Sequence, residues 1–385
     1  MSASTCGPSG RGHILYLATE DWFFRSHFLS VAQAAVAAGY TASVATRARD
    51  PAVADEIRAA GVALVPVDHL RSAGGLSAMG QARDYARLMG AARPDIVHLI
   101  SARLCGLGGL AAKMAGVRRR VFAVTGLGAL GAAEGPKAAA VRRAIGFALA
   151  GPLGGTGARF VFENRDDPAL LGLTLTAGRD IVVGGAGVDP DAVSVAPLPP
   201  QPPLRLALIA RMVRSKGVDV AVAAVGLARA RGAQVELSLY GEPDRHNPQS
   251  FTDDELRAFS ALPGVTWHGL TRDVGAAWRD HHAALVPSRG GEGLPRTLLE
   301  AAQHGRAILT TRTPGCRDFV RDGIEGFVTP PGEAGALARA ILTLAADPAR
   351  VAAMGAAARV RLSEGYTTKQ VTAAFVALYD GMMRG

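Results

Sequence analysis

The feature that most constrains the fold is a regular alternation of short, continuous apolar segments with longer Ala-rich segments of helical period. Strands that are apolar on both faces and separated by helices are typical of a parallel sheet covered by helices on both sides. The sequence therefore predicts a doubly wound α/β architecture. In the first half, the predicted strands cover residues 13–19, 41–46, 62–67, 95–100, 120–124, 159–162 and 181–183.

This alternation breaks once and then restarts. Residues 196–203 contain five prolines in eight positions, which neither a helix nor the interior of a sheet tolerates. A chain of 385 residues is also too long for one ordinary core. We therefore expect a first domain over 1–195, a linker over 196–204, a second domain over 205–365 and a terminal helix over 366–385. The second set of predicted strands covers 204–210, 234–240, 265–268, 283–286, 307–310 and 326–328.

Composition excludes several functional classes. The formal net charge is +9, but no basic block is interleaved with aromatic residues, which argues against nucleic-acid binding. Cys6, Cys105 and Cys316 are widely separated, so neither a disulfide framework nor a zinc site is indicated. The first residues do not form a signal peptide, and the uncharged stretch 144–158 is too short and too rich in Gly and Pro to span a bilayer. We expect a cytoplasmic protein, either free or peripheral on the inner face of the membrane.

One glycine motif, Gly126-Leu-Gly-Ala-Leu-Gly131, directly follows a predicted strand and matches the dinucleotide-binding fingerprint. A chain with 47 glycines is expected to contain about one such match by chance. The acidic residue that should follow about 20 positions later is missing, since no Asp or Glu lies between Glu134 and Glu163. We therefore expect Gly126 to belong to a loop that approaches the cleft closely, with nicotinamide binding as the alternative.

The most informative segment is 287–305, which follows a predicted strand and opens a helix. We expect that helix to begin at Pro295 and to end before Gly305. The glycines before this helix let the backbone approach a ligand, and the free N–H groups at the start of the helix favour the binding of an anion. Glu292 and Glu300 would repel phosphate but suit hydroxyl groups, such as those of a sugar and a ribose that flank a diphosphate. The structural alternative is a capped helix with one solvated and one buried glutamate.

Two cations follow the first predicted strand of the second half. Arg211 and Lys216 would lie at the carboxyl edge of the sheet, where a departing diphosphate needs its charge neutralised. Taken alone, the same residues fit a solvated basic turn equally well.

Together these segments resemble the retaining GT-B glycosyltransferases of family 4, especially the subgroup that builds bacterial surface polysaccharides. The resemblance spans nearly the whole chain and implies two Rossmann-like domains that face a central cleft, with the final helix crossing back onto the first domain. It is carried by Glu292-Gly-Leu-Pro, Leu-Leu-Glu300-Ala, Ala-Arg211, Lys216-Gly and Thr313-Pro-Gly-Cys-Arg-Asp318, and by similar residues at 19–27, 125–128, 162–167 and 187–189.

The resemblance implies a role for each matching residue. Glu300 would hold the donor ribose, Glu292 would contact the transferred sugar, and Arg211 and Lys216 would hold the diphosphate. The backbone of the loop before the helix, at Gly291, Gly293 and Leu294, would contact the diphosphate or the sugar. The nucleobase would lie near the turns that follow two strands, at Gly241 and at Leu270 and Thr271.

The implied activity is transfer of a sugar, with retention, from a UDP-sugar to a growing, polyprenyl-linked saccharide, with no metal and no cofactor. A nucleotide-sugar epimerase and a non-catalytic nucleotide-sugar-binding protein of the same fold are the alternatives. The chain departs from the family where residues 20–24 replace the usual Gly-Gly turn, so the acceptor-side residues cannot be carried over.

The roles of two histidines and five arginines stay open between a functional and a structural interpretation. His98 ends a predicted strand and either faces the acceptor or transferred sugar or is structural, whereas His27 has the same options and could also cap the following helix. Residues 118–120 and 142–143 are all arginine, and an apolar stretch follows the second group. They either form a surface for an anionic membrane and a lipid-linked acceptor or are solvated helix ends.

Overall fold

The computed structural model describes residues 10–67, 75–245 and 247–384, so Cys6 lies outside the described residues. Within them, two parallel sheets form, and every predicted strand is confirmed. The first sheet contains β1 (His13–Glu20), β2 (Thr41–Arg47), β3 (Val62–Pro66), β4 (Ile96–Ile100), β5 (Arg119–Val124), β6 (Ala158–Phe162) and β7 (Ile181–Val182). The second contains β8 (Leu204–Ile209), β9 (Val235–Tyr240), β10 (Val265–Gly269), β11 (Ala283–Val286), β12 (Ala307–Thr311) and β13 (Gly326–Thr329).

Helices connect the strands in both halves, as the alternation predicts. Those associated with the first sheet are α1 (Asp21–His27), α2 (Leu29–Ala37), α3 (Pro51–Ala59), α4 (Gly75–Ala92), α5 (Ala102–Met114), α6 (Ala129–Ala132), α7 (Pro136–Ala150) and α8 (Asp166–Leu170). The later ones are α9 (Val218–Arg229), α10 (Asp253–Ser260), α11 (Val274–Arg279), α12 (Arg296–Gln303), α13 (Pro314–Phe319), α14 (Ala334–Ala346), α15 (Pro348–Arg361) and α16 (Thr368–Arg384).

Six strands of the first sheet have the same order as the six strands of the second, and this order indicates where ligands bind. The first runs β3-β2-β1-β4-β5-β6-β7, and the second runs β10-β9-β8-β11-β12-β13. In each sheet the order reverses beside the first strand, so a crevice opens at the carboxyl ends of β1 and β4 and of β8 and β11. The loops after β8 and β11 carry the sequence motifs singled out above, and they therefore meet at the crevice of the second sheet.

The core explains why the strands are apolar on both faces. In β1, Ile14 and Tyr16 are buried on one face of the sheet, whereas Leu15 and Leu17 are buried on the other. The final helix, α16, returns to the first of these faces, where Val371, Phe375 and Tyr379 pack among the residues of β1, β4 and α2. This confirms the expected return of the last helix to the first half of the chain.

The proline-rich segment 196–203 contains neither helix nor strand and leads directly into β8. No single helix among the described residues is long and apolar enough to cross a bilayer. The bent pair formed by α14 and α15, at 107° to each other, passes the same test of length and composition only when the two are taken together.

Candidate active site

The loops after β8 and β11 pack directly against each other at the crevice of the second sheet. The backbone N–H of Arg289 donates to the carbonyl of Ser215 at 2.8 Å. Gly217 has a φ of +69°, and a Cβ atom there would lie 2.1 Å from the carbonyl oxygen of Pro287. Glycine is therefore required for the two loops to meet.

Lys216 and Glu292 form an ion pair between these loops, and each side chain is 20% exposed. The pair uses Oε1 of Glu292. The other oxygen, Oε2, is buried and has no hydrogen-bond partner among the described residues. A buried carboxylate oxygen without a donor is costly, so this atom is suited to accept a hydrogen bond from a hydroxyl group of a ligand.

Helix α12 carries the second glutamate of the motif. It begins at Arg296, not at Pro295 as predicted, because the ψ of 119° at Pro295 is extended and makes this residue the N-cap. The predicted end is confirmed, since Gly305 follows the helix with a φ of +65°. Glu300 accepts a hydrogen bond from Arg296 at 2.7 Å and is mostly buried. The helix thus presents a fixed carboxylate close to its own N-terminus.

Arg211 lies apart from the Lys216–Glu292 pair. Its exposed guanidinium is ion-paired with Asp244 at 2.7 Å, and it lines a cavity of about 560 Å³. The same cavity is also lined by Gly241, Leu270 and Thr271, the three residues that the resemblance places near the nucleobase. Its opposite wall comes from the first half of the chain and consists of Glu20, Trp22 and Arg49, which the sequence reasoning did not assign to the site.

The loop that follows β5 makes a close backbone approach, as predicted, and the partner that it approaches is the loop after β11. Gly126 has a φ of +111°, and a Cβ atom there would lie 2.5 Å from the backbone nitrogen of Gly293. The N–H of Gly128 donates to the carbonyl of Gly291 at 2.6 Å. At Gly291, with a φ of +80°, a Cβ atom would lie 1.9 Å from the carbonyl oxygen of Gly128. The glycines of both halves are thus needed for their mutual contact.

A buried carboxyl group that the sequence reasoning did not identify also reaches this loop. Glu163 follows β6 directly, and its Oε2 accepts the backbone N–H of Leu294 at 3.1 Å. Burial raises the pKa of Glu163 to about 7, with smaller contributions from the charges of Asp167 and Glu292. The sequence carried two signals for this position: an acidic residue directly after an apolar strand, and the resemblance of residues 162–167 to the family, neither of which assigned a role to Glu163.

His27 lies beside the second half of the chain, close to two of its cations. Its half-buried ring stacks on Phe23 at a centroid distance of 4.2 Å, and Nδ1 is 2.7 Å from the hydroxyl of Ser26. Burial, with smaller contributions from the positive charges of Arg296 and Lys216, lowers the pKa of His27 to about 3. The imidazole is therefore neutral at physiological pH. It does not cap α2, whose N-cap is Phe28.

His98 does not reach the cleft, which corrects the expectation that it could face the acceptor or the transferred sugar. Its side chain is fully buried in β4, and its Nδ1 lies 2.7 Å from the hydroxyl of Tyr379 on α16. Burial lowers the pKa of His98 to about 3. The alternation of side chains along β4 turns this residue toward α16, so it serves the packing of that helix.

Three of the five arginines predicted to form a basic surface have structural roles instead. Arg120 is buried and donates to the carbonyl of Val117 at 2.7 Å, and Arg119 donates to the carbonyl of Met382 at 2.6 Å. Arg142 is also buried and donates to the carbonyl of Ala133 at 2.7 Å. Of the five, only Arg118 and Arg143 are exposed.

No group of three His, Cys, Asp or Glu side chains in the described part of the chain is arranged to hold a metal ion. The absence of a metal requirement stays a prediction.

Two known family models match the chain. Residues 13–151 match the model described as "Glycosyl transferase 4-like", and residues 203–347 match the model described as "Glycosyl transferases group 1". The amylovoran biosynthesis glycosyltransferase AmsK of Erwinia amylovora is 26% identical over 167 residues, which cover 42% of this chain and 40% of AmsK. A GDP-mannose-dependent phosphatidylinositol monomannoside mannosyltransferase of Mycolicibacterium smegmatis is 31% identical over 163 residues, 39% of this chain and 41% of that protein. The alignments thus span about two fifths of these curated relatives.

Solved structures match the fold over almost the whole chain. HepE of Anabaena, solved with UDP and glucose, has a TM-score of 0.73 and 15% identity, with 96% of this chain and 100% of HepE covered. The sucrose-phosphate synthase of Thermosynechococcus elongatus has a TM-score of 0.75 and 16% identity, with coverages of 97% and 99%. Both halves of the chain match glycosyltransferase models, and the two facing sheets match these structures. The chain therefore belongs to the group 1, family 4-type glycosyltransferases with the GT-B fold.

Proposed function

We propose that the protein transfers a sugar, with retention of anomeric configuration, from a UDP-sugar to a growing saccharide in polysaccharide biosynthesis. The observation that carries this proposal is the Lys216–Glu292 pair at the crevice of the second sheet. It offers a cation for a phosphate and, on Oε2 of Glu292, a buried acceptor for a sugar hydroxyl. A sugar diphosphate presents both groups next to each other.

The other site residues fit the remaining parts of such a donor. In this proposal, Glu300 accepts the ribose hydroxyl groups, and the N-terminal end of α12 faces the diphosphate. Lys216 moves partly away from Glu292 to contact the phosphates, and Arg211, in the same loop after β8, neutralises the same charge. The backbone groups of Gly291, Gly293 and Leu294 contact the diphosphate or the sugar. The cavity that contains Gly241, Leu270 and Thr271 then accommodates the nucleobase.

The reaction needs no metal or cofactor in this proposal. The bond between the anomeric carbon and the donor phosphate oxygen breaks, while the acceptor hydroxyl attacks from the same face. The proton of that hydroxyl passes to the leaving phosphate oxygen, so no protein base is required. Positive charge from Arg211, Lys216 and the N-terminus of α12 stabilises the departing diphosphate in a partly dry cleft.

The names of similar proteins support the choice of UDP and of a saccharide acceptor. HepE was solved with UDP and with UDP-glucose, whereas the Mycolicibacterium relative is named for GDP-mannose. AmsK is named for biosynthesis of the polysaccharide amylovoran. We propose a polyprenyl-linked saccharide as the acceptor, on the expectation that such polymers are assembled on a lipid carrier.

The first experiment is thermal stability in the presence of UDP, GDP, ADP or NADH. A ligand at about 100 times its Kd stabilises the folded state by about 2.7 kcal/mol, which gives a measurable shift. We expect a shift with UDP that Glu300→Ala removes and that Glu236→Ala, a change to a surface residue on β9, retains. A shift with NADH alone would contradict the proposal and favour nicotinamide binding.

Acceptor dependence separates transfer from the two alternatives. A glycosyltransferase releases UDP faster when a lipid-linked saccharide is added. An epimerase converts the donor without an acceptor, and a nucleotide-sugar-binding protein leaves the donor intact.

We also propose that the exposed face of α7 contacts an anionic membrane. Phe147 is 76% exposed on this helix, Val141 is also exposed, and Lys137 and Arg143 are basic neighbours. An apolar side chain flanked by basic groups suits a surface of anionic lipids. Binding to vesicles that contain phosphatidylglycerol should weaken in Phe147→Ser, whereas Leu227→Ser, at an exposed leucine on α9, should bind like the wild type. Equal binding by Phe147→Ser and the wild type would contradict this assignment.

A further inference from the structure

A short segment after β6, residues 163–167, contacts the second half of the chain beside the glycine loop that follows β11 and carries Glu292. The side chain of Asn164 organises this segment, because its Oδ1 accepts the N–H of Asp167 at 2.8 Å and its Nδ2 donates to Oδ2 of Asp167 at 3.0 Å. The N–H of Arg165 donates to Asp318 on α13 at 3.0 Å, and Asp166 is ion-paired with Arg317. The segment is thus anchored to the second half of the chain at several points.

Glu163 occupies the innermost position of this connection. It is 8% exposed, and its carboxyl accepts the N–H of Leu294, 131 residues further along the chain. A Cβ atom on Gly293 would lie 2.1 Å from the same carboxyl oxygen, so only glycine leaves room for this contact. The carboxyl of Glu163 therefore fixes the backbone of the loop that carries Glu292.

The charges around Glu163 come from three neighbouring elements and are mostly negative. Asp167 on α8 and Glu292 in the glycine loop both disfavour a negative charge on Glu163, and Glu292 is offset by Lys216. Further out, Asp166 is ion-paired with Arg317 on α13, and Asp318 accepts the backbone N–H of Arg165. His27, which lies near Lys216, is neutral because its pKa is about 3. The N–H of Leu294 is the favourable partner for the charged form.

We infer that Glu163 is a positioning residue of the donor site that takes up a proton when an anionic sugar donor binds beside the loop it holds. The inference rests on the proposed function, since the donor brings the negative charge. A diphosphate next to residues 292–294 adds to the repulsion from Asp167 and Glu292. Because the pKa of Glu163 is already about 7, a small further rise binds a proton at physiological pH.

The consequence is a donor affinity that falls as the pH rises. If the bound donor makes protonation of Glu163 about tenfold more favourable, the affinity falls roughly sixfold between pH 6.5 and 8.5. In Glu163→Gln, the neutral amide keeps an oxygen that accepts the N–H of Leu294 but cannot titrate. Its donor affinity should then change little over the same range.

The test is isothermal titration calorimetry with UDP-glucose at pH 7.5 in buffers of different ionisation enthalpy. UDP-glucose has no group that titrates near this pH, so the slope against buffer enthalpy counts protons taken up by the protein. We expect uptake in the wild type and none in Glu163→Gln. Asp167→Asn is the matched control: the pKa of this neighbouring carboxyl is also raised, to about 6, but its side chain does not bond to the glycine loop. It should keep the uptake.

The outcomes separate this inference from the proposed function. Binding without proton uptake in the wild type, or the same uptake in Glu163→Gln, would overturn the inference while leaving the donor site intact. Failure of the wild type to bind both UDP-glucose and UDP would overturn the proposed function, and the inference with it. The wild-type measurement stands alone if Glu163→Gln does not fold.

Discussion

At the residue scale, the candidate site depends on carboxyl groups in three different states. Glu292 is ion-paired through one oxygen, Glu300 is held by Arg296 one turn earlier, and Glu163 is buried against a backbone N–H. Each state follows from the nearest charge or donor. The same side chain can therefore bind a hydroxyl, orient a ribose or carry a proton, depending on its surroundings.

The first residue-scale prediction concerns Glu292. In Glu292→Gln, the side chain keeps its size, but Lys216 loses its anionic partner and the sugar hydroxyl loses a charged acceptor. Hydrogen bonds to charged groups are stronger than neutral ones, so kcat should fall about 10- to 1,000-fold. Acceptor-dependent release of UDP measures this, with Glu236→Gln on the surface of β9 as the control. Unchanged turnover in Glu292→Gln would contradict a role in transfer.

The second residue-scale prediction concerns stability and does not depend on any ligand. Because the pKa of Glu163 is about 7 in the folded protein and about 4.5 in an unfolded chain, the folded state binds more protons between these values. Stability is therefore lost as the pH rises from about 4.5 to 7. The free energy of unfolding of Glu163→Gln, measured relative to that of the wild type, should therefore rise by about 2–3 kcal/mol between pH 5 and pH 8.

Urea denaturation at the two pH values measures this difference. Glu236→Gln serves as the control, and its stability relative to the wild type should be the same at both pH values. An equal difference between Glu163→Gln and the wild type at pH 5 and pH 8 would show that Glu163 titrates normally.

At the element scale, the two glycine loops fit together only because neither carries side chains at the contact. The loop after β5 and the loop after β11 exchange a hydrogen bond between Gly128 and Gly291, and positive φ values occur on both sides. The sequence predicted a close approach at Gly126 from a glycine motif that lacked its acidic partner. It did not predict what the loop approaches, because that depends on the arrangement of the two sheets.

Gly126→Ala tests this contact. Its φ of +111° is unfavourable for alanine, and the added Cβ would collide with Gly293, so stability should fall by about 1–3 kcal/mol. The melting shift produced by UDP should also decrease. The control is Gly226→Ala in α9, where a Cβ meets nothing and helix propensity favours alanine by up to about 1 kcal/mol. A fully retained UDP shift in Gly126→Ala would show that the loop contact does not shape the site.

Local patterns in the sequence predicted elements well and contacts poorly. The strands were predictable because continuous apolar runs reflect burial on both faces of a parallel sheet. Helix α12 was placed one residue early because the φ of proline fits both the N-cap and the first helical position, and only ψ distinguishes them. His98 was misplaced because it was expected at the end of a strand, whereas it lies in the middle of β4, where side-chain alternation and the return of α16 decide what it faces. Glu163 and Leu294 meet across 131 residues, which no local pattern reveals.

At the scale of the whole molecule, α16 ties the end of the chain to the sheet in which the chain begins. The Tyr379 hydroxyl accepts a hydrogen bond from Tyr16 at 3.2 Å and lies 2.7 Å from Nδ1 of His98. The next residue, Asp380, is ion-paired with Arg11 at 3.0 Å and accepts a hydrogen bond from the hydroxyl of Tyr40. A buried polar contact and an exposed ion pair thus attach the same helix, and we expect them to contribute differently to the free energy of unfolding.

Tyr379→Phe removes the buried link while keeping the ring. The Tyr16 hydroxyl and Nδ1 of His98 would both lose a partner in the core, where an unsatisfied polar group costs about 1–3 kcal/mol. Arg11→Ala removes the exposed pair and should cost less than about 1 kcal/mol, because solvent screens such contacts. Urea denaturation compares the two, and the UDP shift in melting temperature should be the same in both, since neither residue lines the cleft. Equal losses of stability would mean that the buried link contributes no more than the exposed pair, whereas a larger loss in Tyr379→Phe would assign the attachment of α16 chiefly to the buried link of Tyr379 with Tyr16 and His98.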